Sequence, residues 1–407
     1  MSLSSNPLAT TCCIIGGGPA GIMLGFLLAR QGISVTVLEK YTDFFRDFRG
    51  DTIHPSTLEL LHELGLLEKF LKLPHSEITR MSGLIGNRSI TMADLSHLPT
   101  HAKFVALMPQ WDFLNFLASE AARFPHFTLR MGWEATGLIE QPDGTTIGVR
   151  ANTPDGPVEI PASLTVGCDG RHAISRVAAD LPLLDYGVSI DVLWFRIARQ
   201  PGDPENALGY VNYGRLIVLI NRVDYYQVGY IVAKGNFPQI QQDGLAAFHQ
   251  SIERIVPFLT GRTAEIDSWD KVKLLTVQVN RLQQWCSPGL LCIGDAAHAM
   301  SPVGGIGINI ALQDAVATAN ILTEALLSSG GATLHDLKSV QNYRESAVRN
   351  TQRVQIFAHR MLNAVLSRSG PFTPPLLFRV ITGIPGFRYL TARFIGMGLQ
   401  PQHIKKI

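Results

Sequence analysis

The stretch "TCCIIGGGPAGIMLGFLLARQGISVTVLE", residues 11–39, decides how this chain folds. Residues 11–15 form a short apolar run suited to a fully buried strand. A helix follows from about Pro19 to Gln31, with proline at an early helical position where its missing N–H costs nothing. Gly32 ends that helix, and "SVTVLE" supplies a second strand rich in β-branched residues. Strand, helix and strand in this order make a β-α-β unit, which implies a parallel sheet.

Gly16, Gly18 and Gly21 form G-x-G-x-x-G between the first strand and the helix. Gly16 allows the tight turn, Gly18 lets the backbone approach a pyrophosphate, and Gly21 permits close strand–helix packing beside a helix N-terminus that attracts phosphate charge. Glu39 ends the second strand, where a carboxylate accepts hydrogen bonds from adenosine ribose hydroxyls. It repels a 2′-phosphate, so the site favours FAD or NAD over NADP. The glycines alone do not separate those two.

Composition narrows the rest. A chain of 407 residues can hold two or three domains. Its 35 basic and 33 acidic side chains nearly cancel, and no basic tract occurs, so no nucleic-acid partner is expected. The polar N-terminus has no secretory pattern, and no run of 18 apolar residues exists. Cys12, Cys13, Cys168, Cys286 and Cys292 are odd in number and lack a C-x-x-C pair, which fits free thiols in a reducing cytoplasm. The histidines show no metal-ligand spacing, so no metal site is expected.

Further along, residues 55–72 read as an amphipathic helix broken near Gly65, and 112–124 as another helix. Strands separated by turns at 142–144 and 153–156 fill 127–168. Strand-like pieces dominate 183–285, with one helix around 243–255, and read as a mostly antiparallel sheet inserted in a nucleotide-binding fold. A buried strand precedes "GDAAHA", the next helix starts near residue 308, and 333–407 is mainly helical with "SGPFTPP" as a breaker.

Three separated motifs, "GGGPAG" (16–21), "CDGRHAISR" (168–176) and "GDAAHAMSPVGGIGIN" (294–309), carry a further message, joined by "FRGDTIHPSTLELLHELGL" (48–66). With them the chain resembles the class A flavoprotein monooxygenases, the para-hydroxybenzoate hydroxylase family. The resemblance implies an α/β fold: a Rossmann-like FAD-binding domain of the glutathione reductase type, an inserted, mostly antiparallel β-sheet substrate domain and a helical C-terminus. It places the FAD-binding domain at 1–75, 102–182 and 286–332, the substrate domain at 76–101 and 183–285, and the C-terminal helices at 333–407.

The same resemblance implies the cofactor contacts. Gly16, Gly18, Pro19, Ala20 and Gly21 surround the pyrophosphate, with Glu39, Lys40 and Ala135 towards the adenosine end. Asp295 holds the ribityl hydroxyls; its bland alternative is a helix N-cap. Pro302, Gly305, Gly307, Ile308 and Asn309 lie against the isoalloxazine ring, where a helix N-terminus stabilises negative charge on reduced flavin. Arg49 and Gly50 flank the flavin, Gln110 contacts FAD, and Asp169 belongs to the D-G-x-x-S-x-x-R segment, in which Ala173 replaces the common Ser.

The implied reaction is hydroxylation of an electron-rich, small, aromatic molecule, with NADPH or NADH as transient reductant and O2 as co-substrate, through a flavin C4a-hydroperoxide. The cofactor carries that chemistry, so no protein nucleophile is required. Arg49, Asp51 and Pro302 are the candidates nearest the reacting ring, and Asp51, His54 and Arg222 are the candidates for a substrate-activating base. Trp194, Tyr213, Tyr226 and Tyr230 are candidates for lining the substrate site, although at period-2 spacing half of such rings belong to the core. Two alternatives stay open: a non-oxygenating flavin oxidoreductase, and a catalytically inert FAD-fold binding protein. A monomer or homodimer is expected. The apolar segment 374–400, with scattered Arg, caps the pocket, packs a dimer or touches a membrane surface.

Overall fold

The computed structural model describes residues 8–45, 52–204, 208–368 and 370–405. Arg49, Gly50 and Asp51 lie outside the described residues. The β-α-β unit forms as its pattern dictates: strand Thr10–Ile15, helix Pro19–Arg30, strand Val35–Glu39. The two strands pair in parallel, Cys12 opposite Val35 through Ile15 opposite Leu38. The sheet continues in parallel through Phe127–Met131 on one side, and through Gly156–Gly167 and Leu290–Cys292 on the other. Glu134–Glu140 and Thr146–Thr153 add an antiparallel extension to Gly156–Gly167.

Both faces of the parallel strands are covered, which is why they read as unbroken apolar runs rather than alternating ones. Helix Pro19–Arg30 packs on one face together with the 23-residue helix Gly307–Ser329. Ile22, Met23, Leu24, Leu312, Ala315 and Val316 are all sealed in that layer. The segment Val303–Ser329 is the one stretch, among the described residues, long and apolar enough to cross a membrane, yet 72% of its 18-residue apolar window is buried, as in a core helix.

A second sheet of seven strands stands apart in the order 273–275, 190–198, 225–233, 215–221, 208–212, 80–85, 88–94. Its pairings are antiparallel except for Leu208–Val211 against Ser82–Ile85. Two pieces far apart in sequence, 80–94 and 190–275, thus share one sheet. The helix read around 243–255 is Leu245–Glu253, and a second helix, Phe237–Asp243, precedes it at a glycine break. Gly244 sits at φ +89°, a conformation that ordinary side chains avoid.

The C-terminal region is helical as read: Leu334–Leu366, Leu376–Gly383 and Pro385–Met397. Thr333 opens the first of these with a capping box, its hydroxyl accepting from the Asp336 N–H while Asp336 accepts from the Thr333 N–H. The helix expected over 55–72 stops at Glu63 and resumes for one turn at Leu67–Phe70, and Gly65 between them has φ +72°. All five cysteines are free, and only Cys168 is less than fully buried.

Candidate functional site

The glycine turn requires glycine for reasons of space. Gly16 has φ +104°, and a Cβ there would lie 2.5 Å from the Cys168 carbonyl oxygen. A Cβ on Gly21 would overlap the Gly16 carbonyl oxygen itself. Gly18 is different: its φ is −73° and nothing lies within 4 Å of where its Cβ would be. The first and third glycines are therefore needed by the fold, and the middle one faces open space at a helix N-terminus. That is a cradle into which a pyrophosphate fits and a side chain would intrude.

Glu39 stands at the rim of this cradle. Its Oε2 accepts from the Gly17 N–H at 3.0 Å and its Oε1 from the Tyr41 N–H at 3.1 Å. The amides of Gly132 and Trp133 close onto the Tyr41 and Glu39 carbonyls, which brings Ala135 to the same end of the sheet. Lys40 is exposed, its Nζ 5.0 Å from the Tyr41 ring centre. Gln110 is half-buried and begins helix Gln110–Ala121 behind Pro109.

On the other side of the first strand, Asp169 and Asp295 take different roles. Asp169 turns inward: its carboxylate accepts from the Ser175 N–H at 3.0 Å and the Ser175 hydroxyl at 2.7 Å. Burial raises its pKa, opposed by those hydrogen bonds. Ala173 itself carries no hydroxyl, and the serine that bonds Asp169 stands two residues later, at Ser175. Arg176 donates to the carbonyls of Ala296 and Arg171 and so ties this segment to the one carrying Asp295.

Asp295 remains partly open, its side chain 34% exposed. It caps no helix, since the short turn Gly294–Ala296 begins at Ile293 without any side-chain cap. Its partner is Arg171, whose Nε lies 3.2 Å from Oδ2. A carboxylate at the mouth of the groove, held by one arginine and open on its other side, suits the hydroxyls of a ribityl chain. Arg171 was legible only as an unassigned position inside "CDGRHAISR".

The turn 302–309 approaches from the opposite wall. Gly304 and Gly305 have φ of +82° and +64°, and a Cβ on Gly305 would lie 2.5 Å from the Thr52 hydroxyl oxygen. That hydroxyl donates to the Gly305 carbonyl at 2.8 Å. Asn309 clamps the two segments: its Oδ1 accepts from the His54 N–H and the Thr57 hydroxyl, and its Nδ2 donates to the Thr52 carbonyl. Its side chain is thus committed to protein partners. The first helical hydrogen bond runs from the Ile310 N–H to the Ile306 carbonyl, so the N–H groups of Gly307, Ile308 and Asn309 belong to the uncapped first turn. They supply the positive end of the helix dipole.

Two buried polar groups behind this turn were not anticipated. Ser301 bonds His359 Nε2 at 2.6 Å, while Gln355 accepts from the Ser301 N–H and donates to the Ser301 and Val303 carbonyls. Both partners come from helix Leu334–Leu366, so the C-terminal region fixes the flanks of Pro302. Deeper, Asp314 is fully buried between His298 Nε2 at 2.6 Å and Arg344 Nε at 2.8 Å, and it also accepts from the Gly294 N–H. Burial alone raises the pKa of such a carboxyl, but His298 and Arg344 more than reverse this and hold it below its ordinary value.

The candidates for base and for substrate lining sort clearly. His54 is fully buried, and burial lowers its pKa to about 4. Its Nδ1 lies 2.7 Å from the Ile395 carbonyl, which can only accept, so the neutral ring donates there and tethers the last helix. It is a structural tie rather than a base. Arg222 is buried beside Gln227 Oε1, at 3.4 and 3.5 Å. Trp194 lies opposite Gly229, where a Cβ would come within 2.9 Å of its ring, and it shares an apolar cluster with Val192, Val218 and Val303 of the glycine turn. Tyr226 and Tyr230 are on the other face, packed against Phe258 and Phe248. Tyr213 lies in a turn under the Arg254 guanidinium, 3.9 Å away. Of the four aromatic candidates, only Trp194 faces the turn.

Comparison with known proteins agrees with this geometry. The family model described as "FAD binding domain" matches residues 9–353. The chain is 29% identical to 6-methylpretetramide 4-monooxygenase of Streptomyces rimosus over 94% of its own length and 91% of that protein's. It is 26% identical to dialkyldecalin synthase of Streptomyces rugosporus, covering 76% of this chain and 64% of that one. Among solved structures, PqsL of Pseudomonas aeruginosa in complex with 2-aminobenzoylacetate superposes with a TM-score of 0.74 at 19% identity, over 88% of this chain and 97% of that one, which shows a shared fold. With a glycine cradle at the first strand–helix turn, an acid ending the second strand, a partly open Asp295 and an uncapped helix start at Gly307, the chain belongs to the FAD-binding-domain family of para-hydroxybenzoate hydroxylase-like flavoprotein monooxygenases.

Proposed function

We propose that this protein uses NADH or NADPH and O2 to hydroxylate a small aromatic, electron-rich molecule held between the seven-stranded sheet and the turn 302–309. The observation that carries the proposal is an uncapped helix start at 307–309 that follows directly on Val303, a residue packed in one apolar cluster with Val192, Trp194 and Val218 of the seven-stranded sheet. FAD, when bound, supplies the redox chemistry and the activation of oxygen. The chain supplies the surroundings. The cradle at 16–21 holds the pyrophosphate, Glu39 the ribose, and Asp295 the ribityl hydroxyls. The N–H groups of Gly307, Ile308 and Asn309 stabilise negative charge where the ring system meets the helix. That apolar cluster would exclude water, which favours oxygen transfer to the substrate over release of hydrogen peroxide.

In this reading the division into domains follows the sheets. Pieces 76–101 and 183–285 form the substrate domain, supported by the pairing of Ser82–Ile85 with Leu208–Val211. The parallel sheet with its crossover helix is then the Rossmann-like half, of the glutathione reductase type. Pro302 and Arg49 are assigned to the flavin environment, Arg49 on the resemblance of its motif alone.

A second reading has one observation behind it: a relative is named dialkyldecalin synthase, not a monooxygenase. The two are separated by supplying 18O-labelled O2 with NADH or NADPH and a panel of phenols and polycyclic aromatics. The proposal expects one labelled oxygen atom in the product, formed in step with reductant consumed. Product formation without label, or reductant consumed only to give hydrogen peroxide across the panel, would reject it.

A further inference from the structure

The last 62 residues, Ser346 to Ile407, contain no Asp or Glu, against seven Arg and two Lys. With a net charge of +2 for the whole chain, the residues before them carry −7. Near-neutrality therefore hides a strongly basic C-terminal region joined to an acidic body. This same region holds the two most exposed large apolar side chains among the described residues, and several others. Leu376 and Leu377 are 69% and 71% exposed, Val380 is 56%, Ile384 50% and Leu390 64%. Leu376, Leu377 and Val380 share one face of helix Leu376–Gly383. On the preceding helix, Val354, Phe357 and Met361 are exposed at helical spacing, flanked by the exposed Arg353 and Arg360. Between helix Leu376–Gly383 and strand Arg88–Asp94 runs a groove lined by Arg88, Arg379 and Arg388 beside Leu376 and Val380.

From this we infer that the C-terminal helices dock the enzyme on an anionic lipid bilayer, with the leucines entering the acyl boundary and the arginines meeting lipid phosphates. Exposed apolar side chains bounded by arginine, with no acid among them, are the composition of a helix that lies in a membrane interface. A soluble surface rarely leaves so many large aliphatic side chains together. A second copy of the chain is the poorer occupant, because a two-fold contact pairs the same patch with itself and would bring two basic, acid-free surfaces together. The acidic body keeps the rest of the molecule off a negatively charged surface, so the same charge asymmetry sets orientation as well as affinity.

The test is co-sedimentation of the FAD-loaded protein with sucrose-filled vesicles of phosphatidylcholine, alone or with about one third phosphatidylglycerol. Binding is expected to the mixed vesicles and not to pure phosphatidylcholine, and to fall at least tenfold between about 0.1 M and about 0.5 M salt. Neutralising Arg353, Arg360 and Arg368 together to Gln is expected to weaken partition about a hundredfold, at roughly fivefold per charge. Leu377→Asp with Val380→Asp is expected to abolish it, with the bound-flavin spectrum unchanged in both variants. Failure of the wild type to bind mixed vesicles, equal binding to both compositions, or self-association in centrifugation that the Leu377→Asp, Val380→Asp variant removes would each overturn the inference.

Discussion

Asp314→Ala is expected to lower stability by about 3–5 kcal/mol, the usual cost of stripping one partner from a buried ion pair. The cause is what remains: Arg344 and His298 are each about 1% exposed and would keep their desolvation without their counter-charge. The same deletion frees the Gly294 N–H, next to Asp295, and loosens the Gln313 and Gln400 contacts of Arg344. Thermal unfolding checks this, with a fall in Tm of about 4–6 °C for a chain of this size. A variant melting with the wild type would show that the network carries no net stabilisation.

The pH dependence has a definite sign. The folded pKa of Asp314 lies below its unfolded value, so its contribution is complete above the unfolded carboxylate range, near pH 4, and disappears as pH falls through the folded value. Wild-type stability should therefore drop on acidification through that window more steeply than that of Asp314→Asn.

Gly21→Ala and Gly18→Ala are expected to differ in kind. At Gly21 the new methyl overlaps the Gly16 carbonyl oxygen and lies 3.2 Å from Ile14 Cγ2, so strand and helix must separate. This is expected to cost on the order of 3 kcal/mol in stability, with FAD binding lost as well. At Gly18 the methyl meets no protein atom and the backbone angle suits any residue. That variant is expected to melt within a degree or two of the wild type and to bind FAD at least tenfold more weakly, because the methyl occupies the place of a phosphate. If Gly18→Ala binds FAD normally, the pyrophosphate does not lie against that residue.

Much of this architecture was legible because its signals are local. A buried run, three glycines at fixed spacing and an acid at the end of the next strand specify the β-α-β unit and its cradle without reference to the rest of the chain. The glycine turn before helix Gly307–Ser329 was legible as a turn for the same reason, since Gly304, Gly305 and Gly307 sit together at a helix start; the role proposed for it rests on the family resemblance. Groups paired across large separations in sequence were not. Asp314 bonds Arg344 and His298, and Ser301 bonds His359, 58 residues on; in the sequence each is one more polar residue in its own helix, strand or turn. Sheet faces were ambiguous for a different reason. Period-2 alternation shows that Trp194 and Tyr230 belong to strands, but which face meets the turn depends on register, set by the pairing of Trp194 with Gly229. The apolar C-terminal segment was legible, with a membrane surface among its options, but its charge imbalance was not, because the whole-chain charge averages it away.

The most direct test of a flavin lying between the two glycine turns is the amount of FAD released on heating the purified protein, compared with Asp295→Ala. About one FAD per chain is predicted for the wild type, and less than about a tenth of that for Asp295→Ala at matched thermal stability, given the worth of hydrogen bonds to a charged group. A colourless wild type, or a folded Asp295→Ala that keeps its full complement of FAD, would contradict it.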